Sequence, residues 1–277
     1  MNVIEIKPNG FCNGVNRAIK MVDELLLDES APKPIYMFGN LVHNKYVVDM
    51  YKDKIIIVKD NFSDYLDKIN TGTVIFTAHG ISPQIINKAR DKNLNIVDTT
   101  CPNVSKVQKL IKEKISDGYQ VLVVGKETHP EVLSYLGISD KVKLFSDDFI
   151  PNGKTFIVNQ TTLIYDDVLK IYEKLKSTYE HVEIACEICN ATKVRQLALS
   201  EYKDMCDCYI IVGDKLSNNC TSLYEVAKKI HPSFKIESAD ELDTIDLSNY
   251  KKIGVTAGAS TPRIKLDEVI NKIKALN

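Results

Sequence analysis

The chain has 277 residues, of which 44% are hydrophobic and 26% charged, a composition typical of globular proteins. Its 36 lysines and arginines against 37 aspartates and glutamates give a net charge of −1, and no basic stretch is interleaved with aromatic residues, which argues against nucleic acid as the main partner. The N-terminus has no signal-peptide pattern and no apolar run is long enough to cross a bilayer, so we expect a cytoplasmic protein without a membrane partner.

A short strand pattern and an amphipathic helix pattern open the chain, with Cys12 between them. The strand pattern covers Val3–Ile6, and the helix pattern places Val15, Ala18 and Val22 on one face. Cys12 is therefore predicted to lie at a helix N-terminus.

The same context, a strand-like run followed by a cysteine and a helical pattern, recurs at Cys101 and Cys189. The three cysteines are 89 and 88 residues apart. Near-equal spacing over such a distance indicates one supersecondary unit used three times.

Two further strand ends repeat within each unit. The first ends in a glycine with a polar residue four positions later, in the pairs Gly39 and His43, Gly125 and His129, and Gly213 and Ser217. The second ends in small polar groups, and we expect His79, Thr161 and Ser260 to occupy corresponding places there. Because the carboxyl ends of parallel strands face one crevice, these side chains should meet.

Continuous apolar runs indicate the type of sheet. Ile55–Val58, Val121–Val124 and Tyr209–Val212 read as parallel strands covered on both faces by helices. Helical patterns alternate with them along the chain. We therefore predict an α/β protein with mostly parallel sheets, built from three pseudo-repeated units around one crevice.

The repeated cysteines predict a metal site. An odd total of seven cysteines favours ligands or core residues over disulfides, and a helix N-terminus lowers the pKa of a thiol. If the units are related by rotation, Cys12, Cys101 and Cys189 meet near the axis and hold zinc or iron with one coordination position open. Their spacing leaves the choice between zinc and an iron-sulfur cluster open.

The remaining cysteines have a different interpretation. Cys186 and Cys189 have the C-x-x-C spacing of a redox pair or of half a zinc site, but the sequence lacks a second half. We expect Cys186, Cys206, Cys208 and Cys220 to pack in the core as small hydrophobic residues.

Polar residues at the strand ends predict an anion site beside the metal. Imidazole, hydroxyl and amide donors can surround phosphate oxygens, and the candidates are His43, His79, His129, Thr161, Ser217, Asn219 and Ser260. The chain has no P-loop motif, so a small phosphorylated or diphosphorylated ligand fits better than a nucleoside triphosphate. Glu131 would donate a proton there if burial raises its pKa.

Eight ordered motifs between Gly10 and Pro262 resemble one family closely. They are Gly10–Ala18, Val42–Asp49, Ala78–Gly80, Asp98–Pro102, His129–Glu131, Gln160–Leu163, Ile188–Thr192 and Val255–Ser260. Together they resemble the 4-hydroxy-3-methylbut-2-enyl diphosphate reductases, the last enzymes of the non-mevalonate isoprenoid pathway.

The resemblance implies a trefoil of three α/β units, spanning residues 14–97, 98–190 and 191–277, with the N-terminal strand within 1–13 closing the third. It implies one 4Fe-4S cluster held by Cys12, Cys101 and Cys189, with one iron open as the reaction centre. The substrate's diphosphate would lie among His43, His79, Ser217, Asn219 and Ser260, with His129 closing the site. Glu131 and Thr161 match the residues that deliver protons.

The implied reaction is the reductive dehydroxylation of (E)-4-hydroxy-3-methylbut-2-enyl diphosphate to isopentenyl and dimethylallyl diphosphate. A ferredoxin- or flavodoxin-type partner would supply the electrons. One position departs from the family pattern, since Asn218 stands where a second serine is common, so direct donation to the substrate from Asn218 carries less weight.

Two other classes of function are compatible with the same residues. An iron-sulfur hydro-lyase would use the open iron without net electron transfer, so it would need no reductant. A non-catalytic iron-sulfur sensor would need the cysteines but not Glu131.

Overall fold

A computed structural model describes residues 1–151 and 153–276. The strands form three separate four-stranded sheets, and every strand pair in this part of the chain is parallel. None of the helices found there is both long and apolar enough to span a lipid bilayer. Helices connect the parallel strands, so the predicted α/β class with three repeated units is confirmed.

The chain begins with strand β1 (Asn2–Glu5) and helix α1 (Asn13–Leu27). Val15, Ala18 and Val22 are buried along one face of α1, as their spacing predicts. Removing a valine side chain such as Val22 from water contributes about 1.5–3 kcal/mol to folding. Helix α1 is therefore fixed to the core by its apolar face, with Cys12 as its N-cap residue.

The first sheet has the strand order β3-β2-β4-β5. Its strands are β2 (Ile35–Phe38), β3 (Ile56–Val58), β4 (Thr73–Phe76) and β5 (Asn95–Asp98). Its other helices are α2 (Lys45–Tyr51), α3 (Phe62–Lys68) and α4 (Pro83–Asp91). The prediction that Ile55–Val58 is covered on both faces is wrong, because β3 is an edge strand and Ile56 is 45% exposed.

The second sheet has the equivalent order β7-β6-β8-β9. Its strands are β6 (Gln120–Val124), β7 (Val142–Leu144), β8 (Thr155–Asn159) and β9 (Val182–Ile184). Its helices are α5 (Pro102–Ser116), α6 (Pro130–Leu136) and α7 (Tyr165–Thr178). Proline at the first position of α5 and of α6 suits a helix start, where its missing N–H breaks no hydrogen bond.

The third sheet has the order β1-β12-β10-β11, so the N-terminal strand lies at its edge. Its other strands are β10 (Cys208–Val212), β11 (Ser233–Ile236) and β12 (Lys252–Ala257). Its helices are α8 (Asn190–Glu201), α9 (Asn218–Lys228) and α10 (Arg263–Ala275), with 3-10 turns at Lys203–Met205 and Ala239–Thr244. The residue limits of the three units, 14–97, 98–190 and 191–277, stay a prediction.

The strand orders explain how the cysteines recur. Cys101 follows β5, Cys189 follows β9 and Cys12 follows β1. Each of these is an edge strand, paired with β4, β8 and β12 respectively. Each then begins the first helix of the next unit. Because β1 occupies in the third sheet the place that β5 and β9 occupy in the others, the chain closes on itself and the three cysteines are equivalent.

Candidate active site

The backbone holds the three cysteines in matching positions. The amide N–H of Cys12 donates to the carbonyl of Ala259, that of Cys101 to Ala78, and that of Cys189 to Thr161, each over 3.0 Å. All three cysteines line one cavity of about 490 Å³. The structure therefore brings together the residues predicted from the repeat.

Gly14, in the first turn of α1, leaves room for the sulfur atoms. A Cβ atom at this position would lie 2.7 Å from the Sγ atom of Cys101 and 3.8 Å from the Sγ atom of Cys12. Any side chain at position 14 would therefore press on the space between these two thiols.

The separation of the thiols bears on the kind of metal they can hold. Among the described residues, the one group of three His, Cys, Asp or Glu side chains whose ligand atoms all lie within 4.8 Å of one another is His43, His79 and His129. The three thiols are therefore spread more widely than that, whereas thiolates on a single tetrahedral zinc ion lie roughly 3.8 Å apart, given a Zn–S bond of about 2.3 Å. This spacing suits a larger metal centre better than one zinc ion.

Burial changes the expected ionisation of the cysteines. The sequence predicted lowered thiol pKa values at helix N-termini, but burial raises the pKa of Cys101 and of Cys189. Hydrogen bonds from the first turn of each helix act in the opposite direction and are outweighed. Cys101 and Cys189 are thus neutral thiols until a metal displaces their protons.

The other cysteines fall into two groups. Cys206, Cys208 and Cys220 are buried in the apolar core, as predicted. Cys186 is exposed, so its predicted place in the core is wrong. It lies in the loop after β9, which is an edge strand and has a neighbouring strand on one side only.

Three histidines form a cluster in the same cavity. The ring centroids of His43 and His79 are 4.4 Å apart, and His129 lies 5.5 Å from His43 and 5.6 Å from His79. Burial lowers the pKa of all three, that of His129 to about 3, and each ring that becomes charged would repel its neighbours. The cluster is therefore uncharged near neutral pH in the absence of an anion.

The backbone fixes the tautomer of His129. Its Nδ1 atom accepts a hydrogen bond from the amide N–H of Glu131 over 3.2 Å. In the neutral ring the proton must then reside on Nε2. His129 is thus set to donate a hydrogen bond from Nε2, which suits an anion better than a metal ion.

His43 supplies a second sign that a ligand belongs here. Both of its ring nitrogens are shielded from solvent and have no hydrogen-bond partner. Buried polar atoms are rarely left unpaired in folded proteins without a reason. An oxygen atom of a ligand in the cavity would accept from the nitrogen that carries the ring proton.

The third unit contributes hydroxyl and amide groups. The hydroxyl oxygens of Ser217 and Ser260 lie 3.3 Å apart, and Ser260 donates to the backbone carbonyl of His43 over 3.0 Å. Asn219 accepts from the backbone N–H of Ala259 and donates to Thr192, whose hydroxyl lies 3.3 Å from the Sγ atom of Cys189. Ser217, Ser260 and Asn219 all line the cavity.

Asn218 has its amide group committed elsewhere. Its Nδ2 atom donates to both the carbonyl and the hydroxyl of Thr162 over 3.1 Å, and its Oδ1 atom is buried without a partner. Because Nδ2 is engaged with Thr162 and Oδ1 is shielded from solvent, Asn218 presents no free donor to the cavity. This arrangement favours an indirect role in anion binding.

The strand register corrects the correspondence between units. Phe76 pairs with Phe38, Asn159 with Val124, and Ala257 with Val212, and each partner immediately precedes one of the repeated glycines. Three residues beyond these positions lie His79, Thr162 and Ser260. Thr162, rather than Thr161, is therefore the counterpart of His79 and Ser260.

Glu131 is held in the interior by three donors. Its Oε1 atom accepts from the amide N–H of Thr161 over 2.6 Å and from the hydroxyl of Tyr135 over 2.9 Å, and its Oε2 atom lies 3.0 Å from the hydroxyl of Thr161. Burial outweighs these bonds and raises the pKa of Glu131 to about 7. Oε2 accepts one hydrogen bond and Oε1 accepts two, so Oε2 is the oxygen on which a proton is better placed.

The raised pKa of Glu131 predicts a specific pH dependence of stability. Below pH 4.5 the carboxyl is protonated in both the folded and the unfolded chain. Between pH 4.5 and about 7 the unfolded chain loses this proton more readily than the folded chain, so the free energy of unfolding falls as pH rises through this range. Relative to the Glu131→Gln variant, the wild type should lose about 3 kcal/mol of unfolding free energy between pH 4.5 and 8. Urea titrations of both proteins in the same metal state measure this difference, and equal pH profiles would contradict the raised pKa.

Two lining residues were not identified from the sequence. Thr162 accepts from Gln160 and Asn218, which leaves its hydroxyl proton free for the cavity. Arg195 is the one permanent cation among the described residues that line the cavity. Only the strand register distinguishes Thr162 from Thr161, and Arg195 has no counterpart that the spacing would indicate.

Comparison with known proteins indicates a single family. The LytB protein family matches residues 3–274. Proteins called 4-hydroxy-3-methylbut-2-enyl diphosphate reductase are 42% identical in a Geobacillus species (98% of this chain, 90% of the relative) and 41% identical in Bacillus cereus (98% and 89%).

Solved structures show the same architecture. The E-1-hydroxy-2-methyl-but-2-enyl-4-diphosphate reductase of Plasmodium falciparum superimposes with a TM-score of 0.89 at 34% identity, covering 98% of this chain and 87% of that one. A second reductase structure, described as the terminal enzyme of the non-mevalonate pathway, gives a TM-score of 0.70 at 29% identity, with 99% of both chains covered. The three-unit fold, the motifs and these matches together show that the chain belongs to the LytB protein family.

Proposed function

We propose that this chain catalyses the reductive dehydroxylation of (E)-4-hydroxy-3-methylbut-2-enyl diphosphate to isopentenyl and dimethylallyl diphosphate. The proposal depends above all on one observation: three cysteines, a cluster of anion donors and a buried carboxyl with a raised pKa line a single cavity. The names of the relatives support the choice of substrate. The cytoplasmic location expected from the sequence stays a prediction.

The residues present fit an iron-sulfur cluster. Cys12, Cys101 and Cys189 offer three soft sulfur donors, which iron-sulfur clusters prefer, and the absent side chain of Gly14 leaves space between two of them. Three thiolates leave one iron of a 4Fe-4S cluster without a protein ligand. When bound, the cluster supplies a Lewis acid and transfers single electrons to the substrate. A ferredoxin- or flavodoxin-type protein would deliver these electrons to the cluster.

The histidines and the third unit bind the diphosphate in this proposal. His129 donates from Nε2 without carrying a charge, and both ring nitrogens of His43 lack a partner within the protein. Ser217 and Ser260 exchange their present contacts for phosphate oxygens, and Thr162 has a free hydroxyl proton. A bound diphosphate favours protonation of the histidines, because an adjacent anion raises the pKa of an imidazole.

Glu131 and Thr161 deliver the proton in this proposal. In the structure the hydroxyl of Thr161 donates to the Oε2 atom of Glu131. Once Oε2 is protonated this bond reverses, and the hydroxyl proton of Thr161 is free for the cavity. A carboxyl with a pKa of about 7 is well matched to proton transfer near neutral pH. The leaving hydroxyl group therefore departs as water.

Substitution of Gly14 tests the fit of the cluster. Glycine-to-alanine changes inside helices usually stabilise a protein by about 0.5–1 kcal/mol, but the new Cβ atom would lie 2.7 Å from the Sγ atom of Cys101. We expect Gly14→Ala to keep its fold and lose most of its iron and sulfide, measured per chain after anaerobic purification. Asn16→Ala, an exposed change on the same helix, should retain both.

Anaerobic turnover tests the reaction itself. The purified protein is incubated with the allylic diphosphate and reduced methyl viologen, and the products are identified by chromatography. We expect both isopentenyl and dimethylallyl diphosphate, with consumption of two electrons per molecule of substrate. Loss of water without a reductant would instead identify a hydro-lyase and refute the proposed reductase.

A further inference from the structure

Arg195 is a buried cation without a carboxylate partner. It lies on α8, six residues after Cys189, and its side chain is only 5% exposed. Among the described residues the ion pairs of arginines belong to Arg263, so Arg195 makes none. A buried charge normally requires a counter-charge, because its removal from water is costly.

The hydrogen bonds of Arg195 satisfy only part of its guanidinium group. Its Nη1 atom donates to the carbonyl of Ala191 and its Nη2 atom to the carbonyl of Gly10, both over 2.7 Å. Its Nε atom is buried and has no partner. Both acceptors are uncharged, so the positive charge itself is not compensated by them.

The hydrogen bonds of Arg195 place it beside two cysteines, since Gly10 precedes Cys12 by two residues and Ala191 follows Cys189 by two. Burial lowers the pKa of Arg195, and negative charge on Cys12 or Cys189 would act against this by attraction. Arg195 lines the same cavity as these two cysteines. Because metal binding deprotonates thiols, the negative charge appears beside Arg195 only when the metal centre is assembled.

We propose that Arg195 is the counter-ion of the metal centre and raises its reduction potential. This inference rests on the proposed function, since it requires an iron-sulfur cluster on Cys12, Cys101 and Cys189. Reduction adds one electron and therefore one negative charge to the cluster. A fixed positive charge beside it stabilises the reduced form more than the oxidised form, so the potential rises.

The same side chain also positions the loop before Cys12. The bond from Arg195 to Gly10 connects α8 to this loop, which arises 185 residues earlier in the chain. A purely structural role would affect how much cluster is assembled. An electrostatic role would change the potential of the cluster that is assembled, and this difference separates the two.

The test is a dithionite titration of anaerobically purified wild type, Arg195→Gln and Arg195→Lys, followed by electron paramagnetic resonance of the reduced cluster. We expect Arg195→Gln to lower the equilibrium constant for reduction of the cluster at least tenfold, which corresponds to a reduction potential about 59 mV lower for one electron. Arg195→Lys keeps the charge and should shift the equilibrium by less than that. Should Arg195→Gln not fold, Arg195→Met takes its place, because methionine fills irregular space with an apolar chain.

Lys193→Gln is the matched control, since it removes a positive charge from the same helix at a residue that does not line the cavity. Its potential should equal that of the wild type. The inference is overturned if Arg195→Gln keeps the wild-type potential, whatever its iron content, or if Lys193→Gln shifts the potential equally. A wild type that binds no cluster would instead refute the proposed function.

Discussion

Replacing Glu131 with glutamine is expected to lower kcat by about 10²–10⁴-fold, the usual contribution of a general acid. Glutamine has the same shape and can accept from the amide of Thr161 and from Tyr135 as Glu131 does. Its amide nitrogen can donate to the hydroxyl of Thr161, in place of the bond that this hydroxyl donates to Oε2. What it loses is the acidic proton. Iron content and KM for the allylic diphosphate should therefore remain close to those of the wild type.

The matched control for this experiment is Glu127→Gln, an exposed carboxyl in the loop before α6. It should leave kcat unchanged, as measured in the same anaerobic assay. If Glu131→Gln retained wild-type kcat, proton delivery by Glu131 would be refuted, and a non-catalytic role for the site would gain support. If it lost its iron as well, the effect on kcat would reflect assembly of the site and would contradict the assigned role.

Serine substitution of Cys12, Cys101 or Cys189 should abolish turnover and remove most of the iron in each case. The three cysteines have equivalent backbone contacts, so no one of them should be less important than the others. Serine preserves the size of the side chain but replaces a soft thiolate by a hydroxyl that iron-sulfur clusters bind poorly. Iron and sulfide analysis together with visible absorption measures the loss.

Cys186→Ser is the matched control for the three ligand variants, because Cys186 lies three residues before Cys189 but is exposed. It should keep the iron, the absorption and the turnover of the wild type. Loss of the cluster in Cys186→Ser with retention in Cys189→Ser would show that the ligand from the third repeat had been wrongly assigned.

The repeat in the sequence explains why so much of the fold was predictable. Parallel strands, cysteines at helix starts and polar strand ends each recur three times, so errors in one copy are corrected by the other two. The convergence of Cys12, Cys101 and Cys189 follows from this repetition. The third sheet also keeps the four-stranded arrangement of the other two, because the N-terminal strand β1 supplies its fourth strand.

The features that escaped prediction depend on tertiary structure. Thr161 and Thr162 are adjacent and chemically identical, so only the pairing of Asn159 with Val124 decides which corresponds to His79. The thiol pKa values were predicted from local helix position, whereas burial determines their direction. The exposure of Cys186 likewise depends on what packs over a loop, which a single sequence does not state.

Arg195 illustrates a further limit of sequence reasoning. Its neighbours in the chain form an ordinary helical pattern, and arginine in such a position is usually a surface residue. Its importance appears only when the fold brings the carbonyl of Gly10 and the cysteines to it.

Mössbauer spectroscopy of the anaerobically purified, iron-57-labelled protein, with and without the allylic diphosphate, tests the central claim most directly. We predict a 4Fe-4S cluster in which one iron site has a distinct signal that changes when the diphosphate is added. The account would be contradicted if iron-free protein bound one zinc ion per chain after anaerobic reconstitution. It would also be contradicted if the Mössbauer signals of the cluster did not change when the diphosphate was added.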